Sequence, residues 1–328
     1  MFRWGLLSVA KIARDHVVPA IQQAANGNLA AIAARDLDRA RAFAGRHAIP
    51  HVYASYEELL ASPEVDGVYL PLPNTLHLEW TLKALAAGKH VLCEKPLAMT
   101  AAEVETIAAA AAVSGLLVSE AFAVFYHPQW AKVRELVRDG AIGRLRQVQG
   151  GYSYFNRDPA NLRNLSAMGG GGLRDIGVYP AMVTRMVTGA EPLRVQAAID
   201  VDPDFGTDRH ASVRAAFDGF DLSFYCSTQM ALRQFMLFHG ETGFIEVHAP
   251  FNAGIYGDAA ITLHDARHER AETFRFPGAQ QYRNEVEAFA DAATGGRSSV
   301  LSLTSSLGNQ RLTDAIFRAA AHGGWEPV

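Results

Sequence analysis

The stretch Gly67–Cys93, GVYLPLPNTLHLEWTLKALAAGKHVLC, decides the fold. Gly67–Leu70 and His90–Cys93 are short, nearly all-apolar runs, the composition of strands covered on both faces. Between them Asn74–Ala87 spaces its apolar residues as a helix does, and Gly88 follows where a helix ends on glycine. Strand, helix and strand in this order form the βαβ unit of a parallel sheet. The rhythm extends both ways. Strands are expected at Arg3–Ser8, Leu29–Ala34, His51–Tyr53 and Leu117–Glu120, with helices over Asp36–His47 and Thr100–Val113. Pro19 inside a continuous helix would cost ~3 kcal/mol. A short turn at Ala10–Arg14 is therefore expected, then a helix with Pro19 in its first turn.

Beyond Ala121 the rhythm changes. A helix over Pro128–Arg138 precedes runs of strict alternation: Leu193, Val195, Ala197 and Ile199 against Arg194, Gln196 and Asp200, then Phe220, Leu222, Phe224 and Cys226 against Asp221, Ser223 and Ser227. Period-two patterning of this kind belongs to an open antiparallel sheet buried on one face. The length of 328 residues exceeds what one core usually holds. The fold class is thus α/β, with a doubly wound parallel-sheet (Rossmann) domain over 1–121 and a second domain over 122–328 built on an open, mostly antiparallel sheet. The last helix, about 303–321, is expected to return to the first domain. A dimer through the open sheet is the expected assembly.

The net charge of -4, without a basic run, argues against a nucleic-acid partner. Cys93 and Cys226 offer neither metal spacing nor a disulfide framework, so no metal is expected. The opening MFRWGLLSVAKIA reads as a buried first strand rather than a leader or membrane anchor, which makes the expected location cytoplasmic.

The turn after strand one is where dinucleotide-binding domains carry G-x-G-x-x-G. Here it reads Ser8-Val9-Ala10-Lys11-Ile12-Ala13, with small residues in place of all three glycines. The amides of Ser8, Ala10, Lys11 and Ile12 are the expected pyrophosphate contacts. At the end of strand two, Arg35 and Arg39 lie one helical turn apart. Arginine there suits a 2′-phosphate and favours NADP over NAD, while Asp36 is either the cap of the next helix or a ribose ligand.

Strand five runs into Glu94-Lys95-Pro96-Leu97, so Lys95 projects from a carboxyl end, the ligand side of such a sheet. A second segment reads Gly169-Gly170-Gly171-Gly172-Leu173-Arg174-Asp175-Ile176-Gly177-Val178-Tyr179-Pro180, with Asp175 and Tyr179 four residues apart on one helix face. By themselves these are a solvated loop lysine and an ordinary acidic helix start. Together, Glu-Lys-Pro after strand five and Asp-x-Gly-x-Tyr in the second domain resemble the paired signatures of the Gfo/Idh/MocA (glucose–fructose oxidoreductase / inositol dehydrogenase) family. Within that family the chain is similar to aldose (xylose-type) and trans-dihydrodiol dehydrogenases.

The resemblance implies an NAD(P)-dependent oxidoreductase that takes hydride from a sugar carbinol, with aldose C1 to lactone the leading reaction. Lys95 and Tyr179 become the catalytic pair and Asp175 the substrate-orienting group. A tyrosine, ordinarily titrating at ~10, needs the field of a neighbouring ammonium to act as a base near neutrality. The resemblance further implies that Leu72, Pro73, Asn74, Glu94 and Lys95 line the nicotinamide side and that His77 lies beside cofactor or substrate. Tyr154, Phe155, Asn156, Arg163 and Tyr282 are the further pocket candidates. Phe125 stands where relatives often carry Arg, and Ala123 where dihydrodiol dehydrogenases carry a bulky aromatic, which bears on the identity of the sugar. The alternatives are an aldose–aldose oxidoreductase with tightly bound NADP, a redox-neutral NAD-dependent glycosidase, and a cofactor or sugar sensor. The last two usually lack the tyrosine or the lysine retained here.

Overall fold

The structure, a computed structural model, describes residues 1–328. The chain runs β1 (Phe2–Leu7), α1 (Val18–Gln23), β2 (Gly27–Ala33), α2 (Leu37–His47), β3 (His51–Tyr53), α3 (Tyr56–Ala61), β4 (Gly67–Leu70), α4 (His77–Ala86), β5 (His90–Glu94), α5 (Ala101–Ser114) and β6 (Val118–Ala121). These strands form one parallel sheet in the order β3-β2-β1-β4-β5-β6, the doubly wound arrangement. All four residues of β4 are buried, as its apolar composition requires. The helix expected over Asn74–Ala87 opens as a tight 3₁₀ turn at Asn74–Leu76 before α4, and α3 was not anticipated from sequence.

The second half continues with α6 (Pro128–Arg138), β7 (Leu145–Phe155), α7 (Val178–Thr188), β8 (Arg194–Val201), β9 (Asp208–Ala216), β10 (Asp221–Ser227), β11 (Gln229–Gly240), β12 (Gly243–Val247), β13 (Ala260–Asp265), β14 (Ala271–Arg275), α8 (Gln281–Ala293), α9 (Leu303–His322) and β15 (Glu326–Pro327). Its nine strands form one sheet in the order β14-β13-β12-β11-β7-β10-β9-β8-β15. Every pair is antiparallel except β10 with β7. Leu222, Phe224 and Cys226 are buried on β10 as the alternation predicts. Leu193 breaks its own pattern: it precedes β8 and is 62% exposed.

The chain divides into two compact units, 1–123 with 280–307, and 124–279 with 308–328. The expected boundary near 121 therefore needs correction in its second half. The segment that rejoins the first unit is α8, not the last helix, most of which belongs to the second unit. The reason is apolar. Val286, Phe289 and Ala290 of α8 are buried in the same cluster as Phe2, Trp4, Val17 and Ile21. Phe289 meets Phe2 edge-on at 6.0 Å and Trp4 at 5.2 Å.

Phe289→Ala should therefore destabilise the first unit by about 3–5 kcal/mol, measured by denaturant unfolding. A loss under about 1 kcal/mol would contradict the assignment of α8 to that core.

Candidate active site

The first unit supplies a nucleotide crevice without its customary glycines. Ser8 ends β1 with φ of 101°, the left-handed region a glycine would occupy. Its amide donates to Ala33 O at 2.8 Å, which ties the turn to the end of β2. The chain then turns helical at Lys11, widens into a π turn at Ala13–Val17, and continues as α1 with Pro19 in the first turn. The break expected at Pro19 is absent. The Val18 amide reaches back five residues to Ala13 O, and this wider turn accommodates the proline. Ala13 is completely buried, as close helix–strand packing needs. The ammonium of Lys11 pairs with Asp15, so what Ala10, Lys11 and Ile12 offer a phosphate is their main chain at a helix start.

Asp36 resolves as a helix cap. Its Oδ1 accepts from Asp38 N at 3.1 Å and Arg39 N at 3.0 Å. Arg35 and Arg39 are both exposed beside it. An anion-binding turn and two exposed guanidiniums fit a dinucleotide carrying a 2′-phosphate.

At the carboxyl ends of β4 and β5, Leu72 is buried and Pro73 and Asn74 are partly exposed. His77 requires a correction. It is wholly buried, with Nδ1 2.7 Å from Pro96 O and Nε2 2.9 Å from Leu72 O, so its ring ties two loops together rather than facing a ligand. Burial lowers its pKa against the pull of those two carbonyls. Glu94 Oε1 accepts from Tyr69 OH at 2.5 Å, and Lys95 lies partly exposed on the cis Lys95–Pro96 bond that follows. Tyr282 also belongs to this unit, stacked on His16 at 4.8 Å, and is not a member of the tyrosine cluster of the second unit.

The second unit gathers most of the remaining candidates. Gly171 has φ of 119°, and a Cβ there would lie 1.9 Å from Asp208 Oδ1, so only glycine lets this carboxylate in. Asp208 Oδ2 then accepts from Leu173 N at 2.6 Å, at the start of a π turn over Leu173–Gly177 that leads into α7. Burial raises the Asp208 carboxyl to about 6. Asp175 lies on the π turn, and its Oδ2 accepts from Tyr154 OH at 2.6 Å and from Arg163 Nε at 2.7 Å. Burial, with the charge of Asp175 second, holds Tyr154 protonated as a donor. The same charge raises the pKa of Arg163. Tyr179 follows one turn on, its ring 5.3 Å from Phe251 and 5.7 Å from Tyr152.

Phe155 is 68% exposed at the end of β7. Asn156 instead shapes its own loop, accepting from Asp158 N at 2.9 Å, so it is spent locally rather than presented to a ligand. Sequence reasoning missed Tyr152, Phe251, Asn252 and Asp208. Tyr152 OH bonds Asn252, and Tyr152 stacks on Phe251 at 5.2 Å. The only sequence signal for this wall was Tyr152 standing two residues before Tyr154 on one strand face.

Two family models match the chain, "Oxidoreductase family, NAD-binding Rossmann fold" over residues 2–122 and "GFO/IDH/MocA C-terminal domain" over 130–246. An uncharacterized oxidoreductase of Rhizobium meliloti is 41% identical over 100% of this chain and 99% of its own. The D-xylose 1-dehydrogenase (NADP(+)) 2 of Haloferax volcanii is 35% identical over 98% of each. Among solved structures, a 3-ketoreductase from Actinomadura kijaniata in complex with NADP and TDP-benzene matches with a TM-score of 0.91, at 30% identity over 97% of each chain. No helix is long and apolar enough to cross a membrane.

Asp208 yields a prediction in pH. Its folded value, about 6, lies above the ordinary 3.8, so the folded state binds the extra proton between those values. Its contribution therefore favours folding at the acid end, and up to about 3 kcal/mol is lost as pH rises through that window. Asp208→Asn should flatten this part of the stability–pH profile. An unchanged slope would show that Asp208 is not the group responsible.

Proposed function

The chain belongs to the Gfo/Idh/MocA family of oxidoreductases, and on that premise we propose that it is an NADP-dependent dehydrogenase oxidising the C1 carbinol of an aldose to the lactone. The observation that carries this reading is the Asp175 carboxylate, oriented by Tyr154 and Arg163 on the turn that leads directly into Tyr179. A carboxylate held in one orientation in this way is suited to accept from a sugar hydroxyl and fix the ring.

NADP, when bound, supplies the hydride acceptor. Arg35 and Arg39 would hold its 2′-phosphate, the amides from Ser8 to Ile12 its pyrophosphate, and Leu72, Pro73, Asn74 and Glu94 would line its nicotinamide side. Lys95 hydrogen-bonds the reacting oxygen and supplies positive field. Tyr179 takes the hydroxyl proton in oxidation and returns it in reduction. The cofactor preference is supported by Asp36, whose carboxylate is committed to the α2 cap and so does not compete with the arginines.

Reduction of a nucleotide-linked ketosugar is the second reading, supported by the likeness to the 3-ketoreductase. Arg163 favours it to this extent: it meets Asp175 through Nε alone, and the guanidinium of this half-exposed side chain suits a phosphate.

Purified protein with NADP⁺ and a panel of pentoses and hexoses should show reduced-nicotinamide absorbance. Lys95→Met and Tyr179→Phe should each lower kcat about a hundred- to ten-thousand-fold. Turnover confined to dTDP-ketosugars with NADPH would select the second reading. Cofactor binding without turnover of any sugar would overturn both.

Arg35→Ala and Arg39→Ala should each raise KM for NADP⁺ about ten-fold or more, leaving that for NAD⁺ little changed. Equal effects on the two cofactors would remove these residues from the 2′-phosphate.

A further inference from the structure

Gly150, Tyr152 and Tyr154 share one face of β7, and each meets the turn that carries the candidate residues. Gly150 lies under Pro180, whose Cβ stands 3.2 Å from where a side chain at 150 would begin. Tyr152 sets its ring against that of Tyr179 at 5.7 Å, and Tyr154 OH donates to Asp175 Oδ2 at 2.6 Å. One strand face therefore touches Asp175, Tyr179 and Pro180.

Gln234 stands opposite Tyr152 on the neighbouring strand β11 and is 3% exposed. Its Oε1 accepts from Phe251 N at 3.3 Å and from Asn252 N at 3.1 Å. These amides belong to the segment that leaves the sheet after β12. The two carbonyls just before them, of Ala249 and Pro250, accept from Nε2 of the buried Gln129 at 3.1 and 3.2 Å. Trp130 Nε1 adds a further bond to Pro250 O at 3.2 Å. Side chains of α6 and β11 thus bind main-chain groups of four successive residues, as an irregular segment packed inside a protein requires. All of these residues belong to the second unit.

The clamped segment fixes the place of two side chains. Phe251 is buried, stacked on Tyr152 at 5.2 Å with 18° between the rings, and its ring is 5.3 Å from that of Tyr179. The side-chain amide of Asn252 donates to Tyr152 OH. Tyr179 itself is only partly buried, so Tyr152 and Phe251 hold its ring while part of the side chain stays open. Ring contacts of this kind contribute about 0.5–1.5 kcal/mol each beyond the area they bury, and two of them act on one tyrosine.

We propose that Gln234 is a positioning residue for proton transfer: by fixing the main chain at 251–252 it seats Phe251 and Tyr152 against Tyr179 and holds the hydroxyl of that base in one place. The proposal rests on the reading that Tyr179 carries the proton. A reacting group displaced by about 1 Å loses on the order of a hundred-fold in rate, so a glutamine one residue removed from the base can govern turnover.

Gln234→Leu removes the acceptor from both amides. With the sugar that the protein oxidises, it should lower kcat about ten- to a hundred-fold, leaving KM for the sugar and Kd for NADP⁺ within about two-fold. The D₂O effect on kcat should rise, because transfer to a misplaced base becomes slower than the other steps. Gln234→Glu, whose carboxylate accepts the same two amides, should restore most of kcat and the wild-type D₂O effect. Phe251→Leu leaves the backbone bonds in place and should repeat the Gln234→Leu pattern. A merely structural role would shrink the active fraction without moving the isotope effect. An unchanged D₂O effect in both leucine variants, or a Gln234→Glu no more active than Gln234→Leu, would overturn the proposal.

The free protein reads the seating without catalysis. With tyrosine ¹³C-labelled at Cζ, the line of Tyr179 is identified by its loss in Tyr179→Phe. That line should be single and narrow in the wild type, and broadened or split in Gln234→Leu and Phe251→Leu. A broad wild-type line, or one equally narrow in both variants, would overturn the proposal. Full activity of Tyr179→Phe would instead contradict Tyr179 as the proton carrier, a failure of the dehydrogenase reading that the line itself does not depend on.

Discussion

A parallel strand buried on both faces has no place for a charged side chain except at its ends, and this constraint organises the first unit. Apart from Arg3 near the start of β1, which pairs with Asp66, the interiors of β1, β4 and β5 are apolar, while the polar residues Ser8, Arg35, Asn74, Glu94 and Lys95 all follow or close a strand. With every strand parallel, those ends lie along one edge of the sheet, so one burial rule gathers both the Ser8 turn and the Lys95 turn there. His77 serves the same arrangement from inside. Its ring bridges the carbonyls of Leu72 and Pro96 and holds two of these loops together.

The second unit solves a different problem, since its sheet is mostly antiparallel and lacks such an edge. There the site is built on a helix start. Gly171 leaves room for the Asp208 carboxylate, which takes the Leu173 amide, and the π turn that follows presents Asp175 to Tyr154 and Arg163. A π turn also lies behind the phosphate loop at Ala13–Val17, so each unit widens one helical turn beside its candidate residues. The substituted glycines of the phosphate loop follow from the same economy. One residue, Ser8, accepts the left-handed backbone, and Ala13 is small enough for the buried contact.

Much of this was legible in the sequence because it depends on period and position. Apolar runs gave the parallel strands, alternation gave the open sheet, and the charge at the end of β2 gave the cofactor preference. What escaped depends on contacts between distant segments. Nothing local in Gln281–Ala293 says that Phe289 packs on Phe2 and Trp4, so α8 was placed with the wrong unit. His77 has the composition of a ligand residue but is used in packing, and Asp208 has no motif at all. A buried polar residue is identified by its partner, and the partner lies far along the chain.

The central claim is that hydride leaves the C1 carbinol of an aldose for NADP⁺. The most direct test is a single turnover of a C1-deuterated aldose that the protein oxidises, with the NADPH analysed for label. The account predicts deuterium on the nicotinamide ring and a slower transfer than with the unlabelled sugar. Label retained in the sugar product, or lost to water, would contradict it.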